Sequence, residues 1–434
     1  MQFKCIGVNI LNKPVLRKVV MLSLCVSGMS SAHAINDEAL ENFGDVMQIA
    51  LPAIGLGATA VYSDWEGTKQ WTWTGLTAVG TTTVMKGIYQ KIRPNAGQSA
   101  TSFPSGHTTG AFFGAAFLDQ RYGKWWGIPA YTAAGITAYS RVITDHHHVD
   151  DTVMGASIAM MSSWYWVTPH DGAVSVVPFQ QNDAYGVSFH FNGDSKQGDY
   201  SGLDDDDRWR YSITFGPAAQ QQNQVTSRRD TGTQFDLNDF QETNDPTTTA
   251  NAVIERFYGR HLTLFSVEPF EARDFGQFSQ PTLFKDTTFQ PAEEIRSAYR
   301  LTDIRLQYYY DLLPDSKIIL QAGGGLSYQH TTVDIALTDG TKSETASSDI
   351  WVPLVNASLG YQFNPRFSVM AELSGLSLSS QKQLDANVSL GYRLNKYWDA
   401  GIGYGIYDHE TESDELKSSV KYNVLMTYVG YSFY

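Results

Sequence analysis

The sequence predicts a multidomain α + β chain, an all-α helical bundle followed by an antiparallel transmembrane β-barrel of ten to twelve strands. Three observations predict it. Up to about Pro169 the apolar stretches are long and helix-like. After about Gly172 apolar and polar residues alternate with a period of two. The connections in that second half are short turns on one side and long polar loops on the other.

Composition narrows the class. The chain has 434 residues, 13% of them aromatic, which excludes a disordered polymer. It carries 31 Lys and Arg against 45 Asp and Glu, so a nucleic-acid partner is not expected. Two cysteines exclude a disulfide scaffold. Residues 1–34 read as an export leader. Lys4, Lys13, Arg17 and Lys18 precede the apolar run Val19–Val26, and Ala32-His33-Ala34 offers a small-x-small cleavage site. Removal of the leader takes both cysteines and leaves a formal charge of −18.

Residues 35–171 form the predicted helical domain. Val46–Ser63, Gln70–Met85, Thr108–Leu118 and Thr152–Trp166 are apolar but rich in Ala, Gly and Thr, which predicts buried helices of a compact bundle that can rest on a membrane surface. Residues 172–183 read as a linker and 184–434 as the barrel. Candidate strands start near Ala184, Trp209, Phe257, Tyr299, Lys317, Ile350, Phe367, Leu384, Trp398 and Tyr422. Leu313-Pro314-Asp315-Ser316, Asn364-Pro365-Arg366 and Asn395-Lys396 read as tight turns, and Thr332–Asp349 and Asp408–Ser419 as long loops. Pro217–Asn251 falls on the short-turn side but is too long for a turn, so two further strands there make twelve the alternative. The acidic run Asp204–Asp207 then lies in an external loop. Val429, Tyr431 and Phe433 alternate before Tyr434, similar to the aromatic chain end of outer-membrane barrels.

Three blocks in the helical half carry chemistry. They are Lys86 with Arg93-Pro94, Pro104-Ser105-Gly106-His107, and Ser140-Arg141 followed by His147 and Asp151. Lys86, Arg93 and Arg141 bring three cations to one point, enough to bind phosphate and stabilise transition-state charge. Ser105 and Gly106 sit where a turn meets a helix starting near His107, where exposed N–H groups bind anions. His147 and Asp151 are spaced i, i+4, so the carboxylate can hold one ring nitrogen and activate the other. His107 is left to protonate the leaving oxygen. A metal site on Asp145, His146, His147, His148, Asp150 and Asp151 is the rival reading. It is disfavoured because consecutive helical residues point about 100° apart. His146 and His148 read as polar rim residues.

In this order and spacing the blocks, from Lys86 to Asp151, resemble the type 2 phosphatidic acid phosphatase (PAP2) superfamily, which also includes bacterial acid phosphatases and vanadium haloperoxidases. The resemblance implies that Lys86, Arg93, Ser105, Gly106 and Arg141 bind the phosphate. It implies that His147 attacks phosphorus to form a phosphohistidine, that His107 is the acid and that Asp151 supports the nucleophile, with no metal or other cofactor. The barrel histidines His190, His261, His330 and His409 form no comparable pattern.

The resulting expectation is a metal-independent lipid phosphatase, anchored in a Gram-negative outer membrane with its helical domain in the periplasm. Its expected partners are outer-membrane lipids and a phosphorylated lipid substrate. Candidates are phosphatidic acid, phosphatidylglycerol phosphate, undecaprenyl diphosphate or a lipid A phosphate. The rivals are a lipid phosphotransferase or vanadium haloperoxidase on the same site, and a non-enzymatic porin or adhesin barrel with a vestigial helical domain.

Overall fold

The computed structural model describes residues 37–94, 100–170, 174–181, 184–191, 207–227, 232–240, 247–378 and 381–433. The leader, both cysteines, residues 204–206 and Tyr434 lie outside them. Five helices come first, α1 (Asp37–Val61), α2 (Trp65–Ile88), α3 (Gly106–Tyr122), α4 (Lys124–Ile143) and α5 (Val149–Trp166). Four match the stretches singled out above; α4 was not among them.

Helix α3 is the axis of this half, buried among α1, α4 and α5. Its glycines make that possible. A Cβ on Gly114 would lie 2.3 Å from the carbonyl carbon of Leu51 on α1, so only glycine lets the two backbones approach this closely. Asp64 starts α2 by accepting the Gly67 amide at 2.8 Å. The same carboxylate takes a bidentate pair from Arg121 at the end of α3, at 2.7 and 2.5 Å. The bundle is not buried all round: among the described residues its outer faces are not covered, as a bundle resting on a membrane surface would leave them. Val46, Ile49, Trp73, Leu76, Val79, Trp125 and Ile128 are all more than half exposed.

A hairpin follows, β1 (Val174–Gln181) with β2 (Ala184–Phe191), which among the described residues pairs only with itself. The strand expected near Ala184 is therefore not in the barrel, and the stretch read as a linker holds its partner. Alternation reports a strand but not what it pairs with, and a two-residue connection makes the neighbour the partner.

The barrel itself closes with ten antiparallel strands. They are β3 (Asp207–Ser227), β5 (Thr247–Tyr258), β6 (His261–Gly276), β9 (Ile295–Asp311), β10 (Ile318–Leu337), β11 (Ser343–Gln362), β12 (Phe367–Ser377), β13 (Gln381–Arg393), β14 (Trp398–Glu412) and β15 (Leu416–Phe433). β15 pairs back onto β3. Short accessory strands β4 (Gln234–Asp236), β7 (Thr282–Phe284) and β8 (Thr287–Phe289) lie in its connections. The number ten agrees with the sequence, but the membership differs. The strand read near Phe257 is two strands, β5 and β6, joined at Gly259, whose φ of 55° suits a two-residue turn. β3 runs on to Ser227, so the connection that follows it lies at the long-loop end, and among the described residues Pro217–Asn251 adds only the short β4, paired onto the end of β3. Asp207 opens β3 at the short-turn end, where it pairs with Arg256, instead of in an external loop.

The stretches read as long loops at 332–349 and 408–419 are mostly strand, turning only at 338–342 and 413–415. They look like loops because the polarity of the wall inverts partway up. On the lower part of β10, near the short turns, Ile318, Leu320, Leu326 and Tyr328 face outward while Gln321, Ser327 and Gln329 face in. Higher up, His330, Thr332 and Asp334 face outward while Val333, Ile335 and Leu337 enter a core with Phe270, Tyr299 and Tyr422. The switch falls between Thr302 and Ile304 on β9, Pro269 and Glu271 on β6, and Ile406 and Asp408 on β14. Below that line the barrel presents an apolar belt to its surroundings. Above it, the barrel is built like a water-soluble one.

The helical half lies beside this wall. Met85, Phe103, Met154, Ile158 and Met161 pack on Ile213 and Ala250 of the belt. At the end of α5, Trp164 contacts Tyr211, Tyr431 and Phe433 near the short turns. At its start, His148 Nδ1 bonds Glu271 Oε2 at 2.5 Å, just above the inversion line. Lys91 Nζ donates to the Thr248 carbonyl at 3.2 Å, and Arg273 Nη1 donates to the Pro94 carbonyl at 2.6 Å. The 18 residues of α5 thus run the height of the belt, about 27 Å at 1.5 Å per residue.

Candidate active site

The three motif blocks converge at the upper end of the helical half, above the apolar belt. α2 brings Lys86 in its last turn. The N-terminus of α3 brings Ser105, Gly106 and His107, and the last turn of α4 brings Arg141. The loop before α5 brings His147, and the first turn of α5 brings Asp151.

Arg141 is buried, and its Nη1 donates to Asp45 Oδ1 of α1 at 2.6 Å. His107 Nε2 lies 3.0 Å from the same oxygen. One carboxylate oxygen therefore engages a guanidinium and an imidazole together, as a phosphate oxygen would. Arg93 Nε and Arg141 Nε are buried donors with no acceptor among the described residues, which fits an anion with several oxygens. Lys86 Nζ donates to the Thr101 carbonyl at 2.5 Å, and its Cε lies 4.0 Å from where a Gly106 Cβ would be.

Gly106 is the first residue of α3, so the Gly106 and His107 amides start the helix without intrahelical acceptors. The Ser105 amide is not among them. It donates to the Asp151 carbonyl at 2.9 Å, and the Ser105 hydroxyl caps the helix by accepting from Thr108. That corrects the expectation that the Ser105 amide is open to an anion.

His147 and Asp151 do meet, with Nδ1 and Oδ2 3.3 Å apart. They do not share a helix face, because α5 begins at Val149. Asp151 instead reaches back over the helix start, where Oδ2 also accepts from the His148 amide at 2.9 Å and from the Ser102 hydroxyl. With Nδ1 so occupied, Nε2 of His147 is the nitrogen left for chemistry. His146 is a rim residue as expected, paired with Glu41 at 3.2 Å. His148 is not; it is buried against Glu271 and the Ile92 carbonyl. The three histidines serve three separate partners, and among the described residues no His/Cys/Asp/Glu group is placed to hold a metal ion.

Burial lowers the pKa of His147, with Asp151 working the other way and Lys86 and Arg93 adding to the fall, so its ring is neutral at pH 7. His107 is pushed down to about 4, by burial first and then by Arg141, against the pull of Asp45. Asp151 is held well below the usual carboxylate range despite burial, by Lys91 above all and by its bond to His147. Lys86 is pushed down to about 8 by burial, with Arg93 adding to the fall and Asp151 opposing it. A group with that pKa is charged below pH 8 and neutral above it. kcat/KM for a phosphate substrate is therefore expected to fall as pH rises through about 8, by roughly 10- to 100-fold for loss of one charged hydrogen bond. Lys86→Arg keeps the charge and should remove that alkaline limb. An unchanged limb in the variant would assign it to another group.

Two residues of this site carried no signal in the motifs. Lys91 bonds Asp150 at 2.6 Å and lies 3.3 Å from Asp151, fixing the start of α5. Asp45 is one of several acids in the first half of α1; only the packing of α1 on α3 and α4 brings it to Arg141 and His107.

Comparison with known proteins agrees with this geometry. Residues 71–172 match the PAP2 superfamily model, and the chain carries a PAP2 superfamily domain joined to a closed ten-stranded barrel. Over 85 residues the chain is 33% identical to the lipid A 1-phosphatase of Porphyromonas gingivalis, covering 18% of this chain and 19% of that protein. Over 178 residues it is 25% identical to the lipid A 4'-phosphatase of Helicobacter pylori, covering 37% of this chain and 89% of that one. Among solved structures, the outer membrane protease OmpT of Escherichia coli aligns with a TM-score of 0.38 and 8% identity, over 54% of this chain and 99% of that one.

Proposed function

We propose that this chain is a lipid phosphatase of the Gram-negative outer membrane. In this reading it works through a phosphohistidine on His147 and takes its charge stabilisation from Lys86, Arg93 and Arg141 instead of a metal ion. The observation that carries the reading is the shared Asp45 oxygen. A single oxyanion engages Arg141 and His107 at once, beside a His147–Asp151 pair. The apolar belt supports the membrane placement. The two curated relatives are lipid A phosphatases, which favours a lipid A-type phosphate among the candidate lipids.

The residues suggest a two-step route. A phosphate dianion displaces Asp45 from Arg141 and offsets the positive charge around His107. That raises the His107 pKa, so its proton arrives with the substrate. His147 Nε2 attacks phosphorus, the P–O bond to the lipid breaks, and the leaving oxygen takes the His107 proton. Asp151 stabilises the positive ring that forms. Water then attacks phosphorus and returns a proton to His107. The P–N bond breaks, freeing inorganic phosphate and neutral His147.

The test is a rapid quench with lipid substrate labelled in its phosphate. The expected product is a protein-bound phosphoryl group that is labile in acid and stable in alkali. Phosphate release with no such species, under conditions where the first step outruns the second, would exclude the covalent route.

The sequence expectation of a periplasmic helical domain has a competitor in the docking geometry, which favours a position at membrane level.

A further inference from the structure

We infer that the catalytic site works at the membrane surface facing the long barrel loops, on lipid phosphates of the outward-facing leaflet. This rests on the lipid phosphatase reading of the site and adds a side to it.

Three observations lead there. The first is the inversion line on the barrel wall, which marks where the apolar belt ends towards the long loops. The contacts between His148 and Glu271 and between Pro94 and Arg273 lie just above that line. His147 is the neighbour of His148, so the nucleophile stands at the same level. In barrels of this kind the short turns face the periplasm and the longer connections face out; here the longer ones, 228–246 and 277–294, are at the upper end.

The second is the surface of the helical half. Its uncovered faces carry Ile49, Leu76, Val79, Val84, Trp125 and Ile128, which water would not favour at such density. A bundle beside the apolar belt, exposing apolar side chains over the same height, is built for the same lipid layer. α5 is about as long as the hydrocarbon core is thick, about 30 Å.

The third is the arrangement along α1. Asp45 marks the phosphate position, and Val46 and Ile49 follow within one turn, both more than half exposed. α1 descends from the site towards the belt. A lipid with its phosphate at Arg141 and His107 would lay its acyl chains along these residues, headgroup at the surface and chains in the layer. That orientation is the one a lipid of the outward-facing leaflet already has.

The experiment is sidedness by thiol labelling of the full chain in intact Gram-negative cells, with Cys5 and Cys25 replaced by Ser. Single cysteines are placed at Glu38→Cys near the site, Lys124→Cys at the opposite end of the helical half, and Asp339→Cys in a long-loop turn. A membrane-impermeant maleimide is expected to label Glu38→Cys and Asp339→Cys in intact cells, and Lys124→Cys only after permeabilisation. Labelling of Lys124→Cys with protection of Glu38→Cys would overturn the proposal. So would protection of both, which puts the helical half on the periplasmic side, or labelling of both, which puts it outside the lipid layer. Protection of Asp339→Cys would overturn it through the barrel orientation. Phosphate release from a lipid phosphate in detergent micelles, compared with His147→Ala, tests the phosphatase reading alone. Failure there and failure of sidedness are therefore separate results.

Discussion

Replacing His147 with Ala is expected to lower phosphate release from a lipid phosphate by roughly 10⁴-fold or more, because the nucleophile and its supporting groups act as a unit. The imidazole is almost fully buried and held at Nδ1 by Asp151. Water reaching the bound phosphate in its place has neither that position nor that basicity. Asp151→Asn keeps the nucleophile but loses the charge that stabilises the ring in the first step, so a smaller loss is expected. The charge clamp remains in both variants, and inorganic phosphate or vanadate should still bind. Phosphate release from His147→Ala within tenfold of the natural protein, measured in micelles with EDTA present, would remove His147 from the reaction.

The largest effect on stability is expected at the other end of the bundle. Arg121→Ala should destabilise the protein by about 3–5 kcal/mol, the cost of leaving a buried charge without its partner. Asp64 and Arg121 are both nearly inaccessible, and their bidentate pair ties the α1–α2 turn to the end of α3. Asp64 is held down to about 2 even though burial, the largest influence, works the other way; Arg121 and the Gly67 amide outweigh it. A depressed carboxylate stabilises the fold above its unfolded pKa. That contribution is lost as pH falls from about 4 through about 2. Arg121→Ala should lower the thermal midpoint in detergent. The double variant Arg121→Met with Asp64→Leu should recover much of the loss, since apolar replacement of both partners is often near neutral. A double variant no better than Arg121→Ala would mean the pair acts through shape and not charge.

The strands were legible where a side chain's neighbours on the wall faced a single solvent. Leu384–Leu394 and Ala400–Ile406 fulfil this, with lipid outside and a polar interior. Thr332–Asp349 does not, because the outside becomes water and the inside becomes apolar halfway along β10, so a strand looked like a loop. Partner choice was not legible at all, as the hairpin at Ala184 shows. The site motifs were legible because short spacings hold Ser105 to His107 and His147 to Asp151. Asp45 and Arg141 meet across 96 residues, and no local pattern records that. The interior of the barrel shows the same limit. Arg305, Asp303, Asp385 and His409 form one buried network from three strands, two residues from β9 and one each from β13 and β14, all of them unremarkable inward-facing polar residues in the sequence.

The upper core of the barrel has an electrical consequence. The barrel encloses a cavity of about 390 Å³ near its short-turn end, lined by Arg208, Glu255 and Arg366 among others. Towards the long loops that space meets Phe270 stacked on Tyr422 at 3.9 Å, Tyr422 on Tyr407 at 4.7 Å, and the apolar side chains packed around them. Such a barrel is a blind well and not a conduit. An ion entering from below would have to shed its hydration against stacked rings, at a cost far beyond thermal energy. A membrane that holds such a barrel would gain no leak path through it, and would stay as good an insulator as it was without it.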